Sequence, residues 1–187
     1  MSAPEEKMRR KKIIMDEKIK VVINNEQKTV KIPAGIRMLI RRCCHAVLME
    51  EKFEKPAEVD VLFVDNERIR EINKQHRDID KETDVLSFPM GVINEDGTDT
   101  FELNPETKCY LLGDIVISVE KAKEQAEQFH HSFDREMAFL TVHSMFHIMG
   151  YDHEKSNLDT LIMREKEEKV LQMIGLPGSN GYFDDEN

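Results

Sequence analysis

Nothing in the chain approaches the roughly 18 consecutive apolar residues that a membrane-spanning helix needs. Its first residues, MSAPEEKMRRKKIIMDEK, are basic but have no apolar core behind them, so the form of a secretory signal is missing. Both absences predict a cytoplasmic protein without a membrane partner. Cysteine is scarce: Cys43, Cys44 and Cys109 are the only three. An odd count with two of them adjacent excludes a regular disulfide framework, and the lack of a C-x-x-C pair excludes a cysteine-rich zinc finger. There is no internal repeat and no low-complexity tract. A net charge of −10 leaves no general excess of positive charge, which argues against a protein that coats nucleic acid by neutralising its phosphates.

The 187 residues, 40% hydrophobic and 34% charged, have an ordinary globular balance, enough for one domain with a real core and short for two. The positive charge is gathered into Arg9, Arg10, Lys11 and Lys12, and into Arg37, Arg41 and Arg42. Exposed charges farther apart than a Debye length of ~10 Å are largely screened, so a local basic groove can survive on an acidic protein. The first cluster reads as a solvated arm over residues 1–12. The second is either a solvated helix face or part of such a groove.

Along the chain, Ile19–Ile23 and Val30–Ile32 read as short strands joined by a turn at Asn24-Asn25-Glu26. From Gly35, the residues Ile36, Leu39, Ile40, Cys43, Val47 and Leu48 recur at helical spacing. The apolar run Val61–Val64 predicts a strand covered on both faces, and Asp65 or Asn66 can cap a helix through Ile69 and Ile72. Asp84–Pro89 and Leu111–Ile117 are strand-like, separated by loop material over 91–110 with a turn signal at Asn94-Glu95-Asp96-Gly97. Ser118, Ser132 and Ser156 are positioned to cap three further helices. The second of these, from Phe133 toward Met149, is apolar on nearly every face and should be central. The expected fold is a single α+β domain over residues 13–178, a small mixed sheet packed with about five helices, followed by a polar tail over 179–187.

The segment His143-Ser-Met-Phe-His147-Ile-Met-Gly150-Tyr-Asp152-His153 carries the chemistry. Residues four apart on a helix lie on one face, so His143 and His147 can aim at one point. Gly150 lets the chain leave the helix, and His153 can reach the same point from the turn. Three neutral imidazoles suit zinc, and less selectively nickel, copper or iron. Three protein ligands leave one position open, as in catalytic zinc sites, where a bound water becomes a usable nucleophile near neutral pH. A structural site closed by Cys43, Cys44, Cys109 or Asp114 is the alternative. In the peptidase motif H-E-x-x-H a glutamate follows the first histidine; here Ser144 stands there, which disfavours a standard metallopeptidase. Asp152 and Glu154 flank His153 and could orient the ligands or act as a base.

The same segment resembles the H-G-x-L-H-L-x-G-Y-D-H signature of the YbeY family, bacterial endoribonucleases and rRNA maturation factors. Asn73-Lys-Gln-His-Arg77, followed by Thr83-Asp84-Val85-Leu86-Ser87-Phe88-Pro89, is similar to the family's N-x-x-x-R and T-D-V-L-S-F-P blocks. Leu112-Gly113-Asp114-Ile115 is similar to its L-G-D-I block. The likeness runs from about Val61 to His153, with Ser144 where glycine is common, Phe146 and Ile148 where leucines are common, and Lys81-Glu82 in place of a frequent proline. The resemblance implies a metal-hydrolase fold, one Zn(2+) or another divalent ion on His143, His147 and His153, and a role for Arg77 facing the metal across a cleft. It implies single-strand-specific cleavage of RNA in 16S rRNA 3′-end maturation and ribosome quality control. The implied partners are ribosomal RNA and the pre-ribosomal small subunit, with ribosomal proteins or assembly factors beside them. Two other readings stay open: a non-catalytic assembly factor with a structural zinc, and a metallohydrolase of another class.

Overall fold

The computed structural model describes residues 19–94, 96–152 and 156–178. The arm over 1–12 with its basic cluster, Glu95 of the turn signal, His153, Glu154 and the tail from Ser179 lie outside the described residues. Those described form four strands and five helices: β1 (Ile19–Asn25), α1 (Ile36–Glu50), β2 (Ala57–Val64), α2 (Asn66–Arg77), β3 (Val85–Pro89), β4 (Tyr110–Ser118), α3 (Val119–Gln128), α4 (Phe133–Ile148) and α5 (Asn157–Met173). The strands make one mixed sheet in the order β1-β2-β4-β3. β1 and β4 run parallel to β2, and β3 runs antiparallel to β4. The expected α+β architecture is the observed one.

Side chains alternate across a strand, and that alternation sorts the core into two layers. Val61, Phe63, Ile115 and Ile117 point into the main cluster, which α1 and α4 fill from the same side. Val64, Leu86 and Val116 point the other way and meet Ile69 and Ile72 of α2. The Val61–Val64 run is therefore covered on both faces, as its composition predicts. Asp65, Ser118, Ser132 and Ser156 each accept a hydrogen bond from the backbone N–H three residues on, so all four helix starts rest on the anticipated caps. No helix among the described residues is long and apolar enough to cross a membrane.

One expectation changes. Val30–Ile32 is not a strand, and no hairpin follows β1. The buried Gln27 side chain explains this: its amide Nε2 donates to the Val30 carbonyl at 3.0 Å, and its Oε1 accepts from the Val30 N–H at 2.9 Å. One glutamine thus takes both backbone groups that a ladder would have used, while β1 pairs with β2 instead. On the basic face of α1, two of the three arginines bind the domain's own backbone. Arg37 donates to the Ile23 carbonyl at 2.6 Å, and Arg42 donates to the Ile174 carbonyl at 2.9 Å beyond the end of α5. Both side chains bind backbone of the domain itself, while Arg41 reaches only the Arg37 carbonyl of its own helix, and all three are exposed.

A buried polar pair sits at the start of α4. Glu136 is 2% exposed, and its carboxyl is pushed from 4.5 up to about 7, first by burial and then by the charge of Asp84. Its Oε2 lies 2.9 Å from His131 Nε2, yet no aligned donor reaches it. His131 Nδ1 sits 3.2 Å from the Ser132 carbonyl, where it must donate, leaving Nε2 of the neutral ring as an acceptor. Burial lowers the His131 pKa and raises that of Glu136, so the neutral carboxyl is the favoured form of the pair. Because the folded-state value lies above the unfolded one, the stability is full below about pH 4.5 and is lost as pH rises through about 7. The span corresponds to about 3 kcal/mol at 1.36 kcal/mol per unit. Wild type should therefore lose stability relative to Glu136→Gln between about pH 5 and about pH 8. Urea melts of the two proteins running parallel over that range would refute the assignment.

Candidate metal centre

The geometry begins with how α4 ends. The Tyr151 N–H donates to the Phe146 carbonyl at 3.0 Å and the Gly150 N–H to the His147 carbonyl at 3.0 Å, the paired bonds of a Schellman turn. Gly150 holds the required left-handed backbone at φ 96°, and the Phe146 and Tyr151 rings pack edge to face at 5.4 Å across the turn. The chain is thereby turned back over the last helical turn, where His143 and His147 stand half-buried on one face.

Each imidazole is anchored through the same atom. His143 Nδ1 donates to Glu167 Oε1 at 2.7 Å, a carboxylate from α5 that is 5% exposed. His147 Nδ1 donates to the Tyr151 carbonyl at 2.9 Å. With both Nδ1 atoms protonated, the neutral rings carry their lone pairs on Nε2, and the two Nε2 atoms face each other at 3.1 Å. Opposed lone pairs at that distance repel unless a cation sits beside them. Two nitrogens bound to a tetrahedral zinc at ~2.0–2.1 Å stand about 3.3 Å apart, so the pair fits such an ion with little adjustment. Both side chains thus suit two ligands of the anticipated three, and His153 lies outside the described residues.

Among the described residues, no third His, Cys, Asp or Glu joins them in a group that could hold a metal ion. The cysteines offered as a closing ligand are buried. Burial pushes the Cys44 thiol up to about 12 and raises Cys43 well above its ordinary value, as for thiols packed in the core. Asp114 stands on β4 opposite Asp60 of β2, and burial with that neighbouring charge raises its pKa.

A family model described as Endoribonuclease YbeY matches residues 22–175. The chain belongs to the YbeY endoribonuclease family. Among its relatives, the Endoribonuclease YbeY of Caldanaerobacter subterraneus subsp. tengcongensis is 50% identical over 156 residues, covering 83% of this chain and 98% of that one. That of Alkaliphilus metalliredigens is 46% identical over 158 residues, covering 84% and 97%. The solution structure of TM1509 from Thermotoga maritima aligns with a TM-score of 0.52 over 87% of this chain and 99% of that one. At 21% identity that likeness speaks for the fold alone.

The other YbeY blocks now acquire physical meaning. Asn73, buried, donates from its amide to the Lys81 carbonyl at 2.8 Å and ties the loop after α2 in place. Arg77, four residues on, is the last residue of α2 and exposed, just before Asp78 turns the chain at φ 58°. Its neighbour His76 packs on Phe88 of β3 with ring centroids 5.1 Å apart. Asp84 accepts from the Val85 N–H at 2.7 Å and from Gln125 at 3.0 Å, which fixes the entry to β3. Gly113 is required by close approach, because a Cβ there would stand 2.5 Å from the Phe88 carbonyl oxygen. Most of these motif residues therefore build the frame, while Arg77 is exposed at the end of α2 and the two histidines stand half-buried on α4. Ser144, at the usual glycine position, is fully buried with no hydrogen-bond partner for its hydroxyl, and nothing in the structure explains its choice.

Glu167 and the Tyr151 carbonyl were not evident from sequence. Glu167 lies 24 positions after His143 on another helix, among several glutamates of α5, and only its burial singles it out. Asp152 is half-buried beside the turn.

Proposed function

We propose that this protein is a metal-dependent endoribonuclease that cleaves single-stranded ribosomal RNA, with the 3′ end of the 16S precursor as its target. One zinc ion would sit on His143, His147 and His153. The observation that carries the reading is the pair of Nε2 atoms opposed at 3.1 Å with both Nδ1 atoms engaged by acceptors, a donor set that calls for a cation. The enzyme works in the cytoplasm on precursors of the small ribosomal subunit, in company with ribosomal or assembly proteins.

When bound, the metal ion supplies Lewis acidity to the attacking oxygen and the phosphoryl group. The rest falls to the chain. Glu167 and the Tyr151 carbonyl keep the two Nδ1 atoms protonated, so the imidazoles present Nε2 in fixed directions. The attacking oxygen, from water or a ribose 2′-hydroxyl, forms the new P–O bond as the bond to the leaving oxygen breaks. Charge builds on the non-bridging oxygens, and the Arg77 guanidinium binds two of them at once.

A single experiment tests this reading. A single-stranded fragment spanning the 16S 3′ end is offered to the protein as prepared, after chelation, and after zinc is restored. Cleavage that disappears with chelation and returns with zinc is expected. Cleavage indifferent to chelation would remove the metal from the mechanism. No cleavage under any condition would favour a non-catalytic assembly factor.

A further inference from the structure

Glu51 occupies an unfavourable position. It is the C-cap residue of α1, where the partial negative charge of the helix end repels a carboxylate. Its side chain is nevertheless 14% exposed and fully engaged. Oε2 accepts from the Tyr151 hydroxyl at 2.9 Å, and Oε1 accepts from Lys166 Nζ of α5 at 2.8 Å. Lys166 also stands over the Tyr151 ring, 5.2 Å from its centroid. The phenol is thus held by residues of two helices, while its ring packs on Phe146 of α4. The backbone carbonyl of the same tyrosine accepts the proton of His147 Nδ1.

We propose that Glu51 and Lys166 are positioning residues of the metal centre, clamping the Tyr151 phenol so that its carbonyl holds the His147 imidazole in its ligating direction. This rests on the metal-centre reading above. The physical chain is short. A carbonyl in a turn outside a helix is free to tilt with its peptide plane, and a tilt would release Nδ1 and let the ring rotate. Fixing the side chain of that residue at its far end removes the freedom. A partner that binds a ligand directly, as the Tyr151 carbonyl does, typically contributes ~10–100-fold to metal affinity, and residues that act through it contribute part of that. A purely structural account would have the three residues merely join α1 to α5, as the neighbouring Glu50–Lys169 pair at 2.7 Å does.

The two accounts differ in what they move. Zinc affinity, measured by competition with a chelating dye, and the melting temperature of the metal-free protein are read for wild type, Tyr151→Phe, Glu51→Gln and the double variant. His147→Ala serves as the control. Both single changes preserve shape, so the fold should persist. The clamp predicts a loss of about 3–10-fold in zinc affinity in each single variant, below the ~10–100-fold expected for losing the carbonyl itself. It also predicts that the double variant loses less than the two single losses combined, because both changes loosen one clamp. Wild-type affinity in Tyr151→Phe, or a lowered melting temperature with affinity unchanged, overturns the clamp and leaves the metal centre standing. Wild type binding zinc no better than His147→Ala overturns both.

Discussion

Replacing His147 with alanine should leave a folded protein that neither gains stability from zinc nor cleaves RNA. Alanine is the best helix former, and the change relieves the contact between two lone pairs at 3.1 Å, which offsets the lost bond to the Tyr151 carbonyl and keeps the metal-free variant folded. The Schellman bonds that end α4 use backbone groups and survive the change. Wild type, by contrast, should gain about 2.7 kcal/mol when free zinc is about 100-fold above its dissociation constant. For a domain of this size that is a rise of roughly 5–10 °C in melting temperature. A thermal-shift series with and without zinc on both proteins, followed by the RNA assay on the same preparations, makes the comparison. A variant that still gains stability from zinc would place the ion elsewhere. A variant that still cleaves would trace the activity to a contaminant or to another site.

Arg77→Ala separates the metal from the chemistry. Arg77 is exposed at the end of α2, and α2 packs through Ile69 and Ile72, so its removal should alter neither the fold nor the zinc-dependent shift. Cleavage should fall by about 10²–10³-fold, equivalent to about 2.7–4 kcal/mol, the usual loss when one donor to developing oxyanion charge is removed. Lysine should restore only part of it, because an ammonium group cannot bind two phosphoryl oxygens in the planar, paired manner of a guanidinium. The discriminating measurement is single-turnover cleavage at saturating RNA, with zinc content determined on the same samples. Undiminished turnover in Arg77→Ala would take this residue out of the mechanism. A parallel loss of zinc would make its role structural.

The contrast between Arg77 and Arg42 illustrates where sequence reading stops. Both are arginines on helices with basic neighbours. Both are exposed, yet Arg42 reaches a carbonyl 132 positions away in the chain, while Arg77 ends a helix whose following loop Asn73 ties in place. Nothing local distinguishes them, since a guanidinium finds its acceptor through tertiary placement. Gln27 gives the same lesson for the fold. The alternation around Val30 is strand-like, and a single side-chain amide outcompetes the ladder for the same backbone groups.

What the sequence determined by itself follows from periodicity and local chemistry. The helix caps at Asp65, Ser118, Ser132 and Ser156, the stop at Gly150 and the placing of His143 and His147 on one face are effects of residues within a few positions of one another. Such interactions form wherever the segment is helical, so their spacing alone announces them. The order of strands, the burial of Glu136 against His131, and the arrival of Glu167 and Glu51 at the histidine turn were decided only by the packed structure. Those contacts join elements far apart in the chain, and a carboxylate acquires its partner, its proton or its orienting role only from the burial and neighbours that packing gives it.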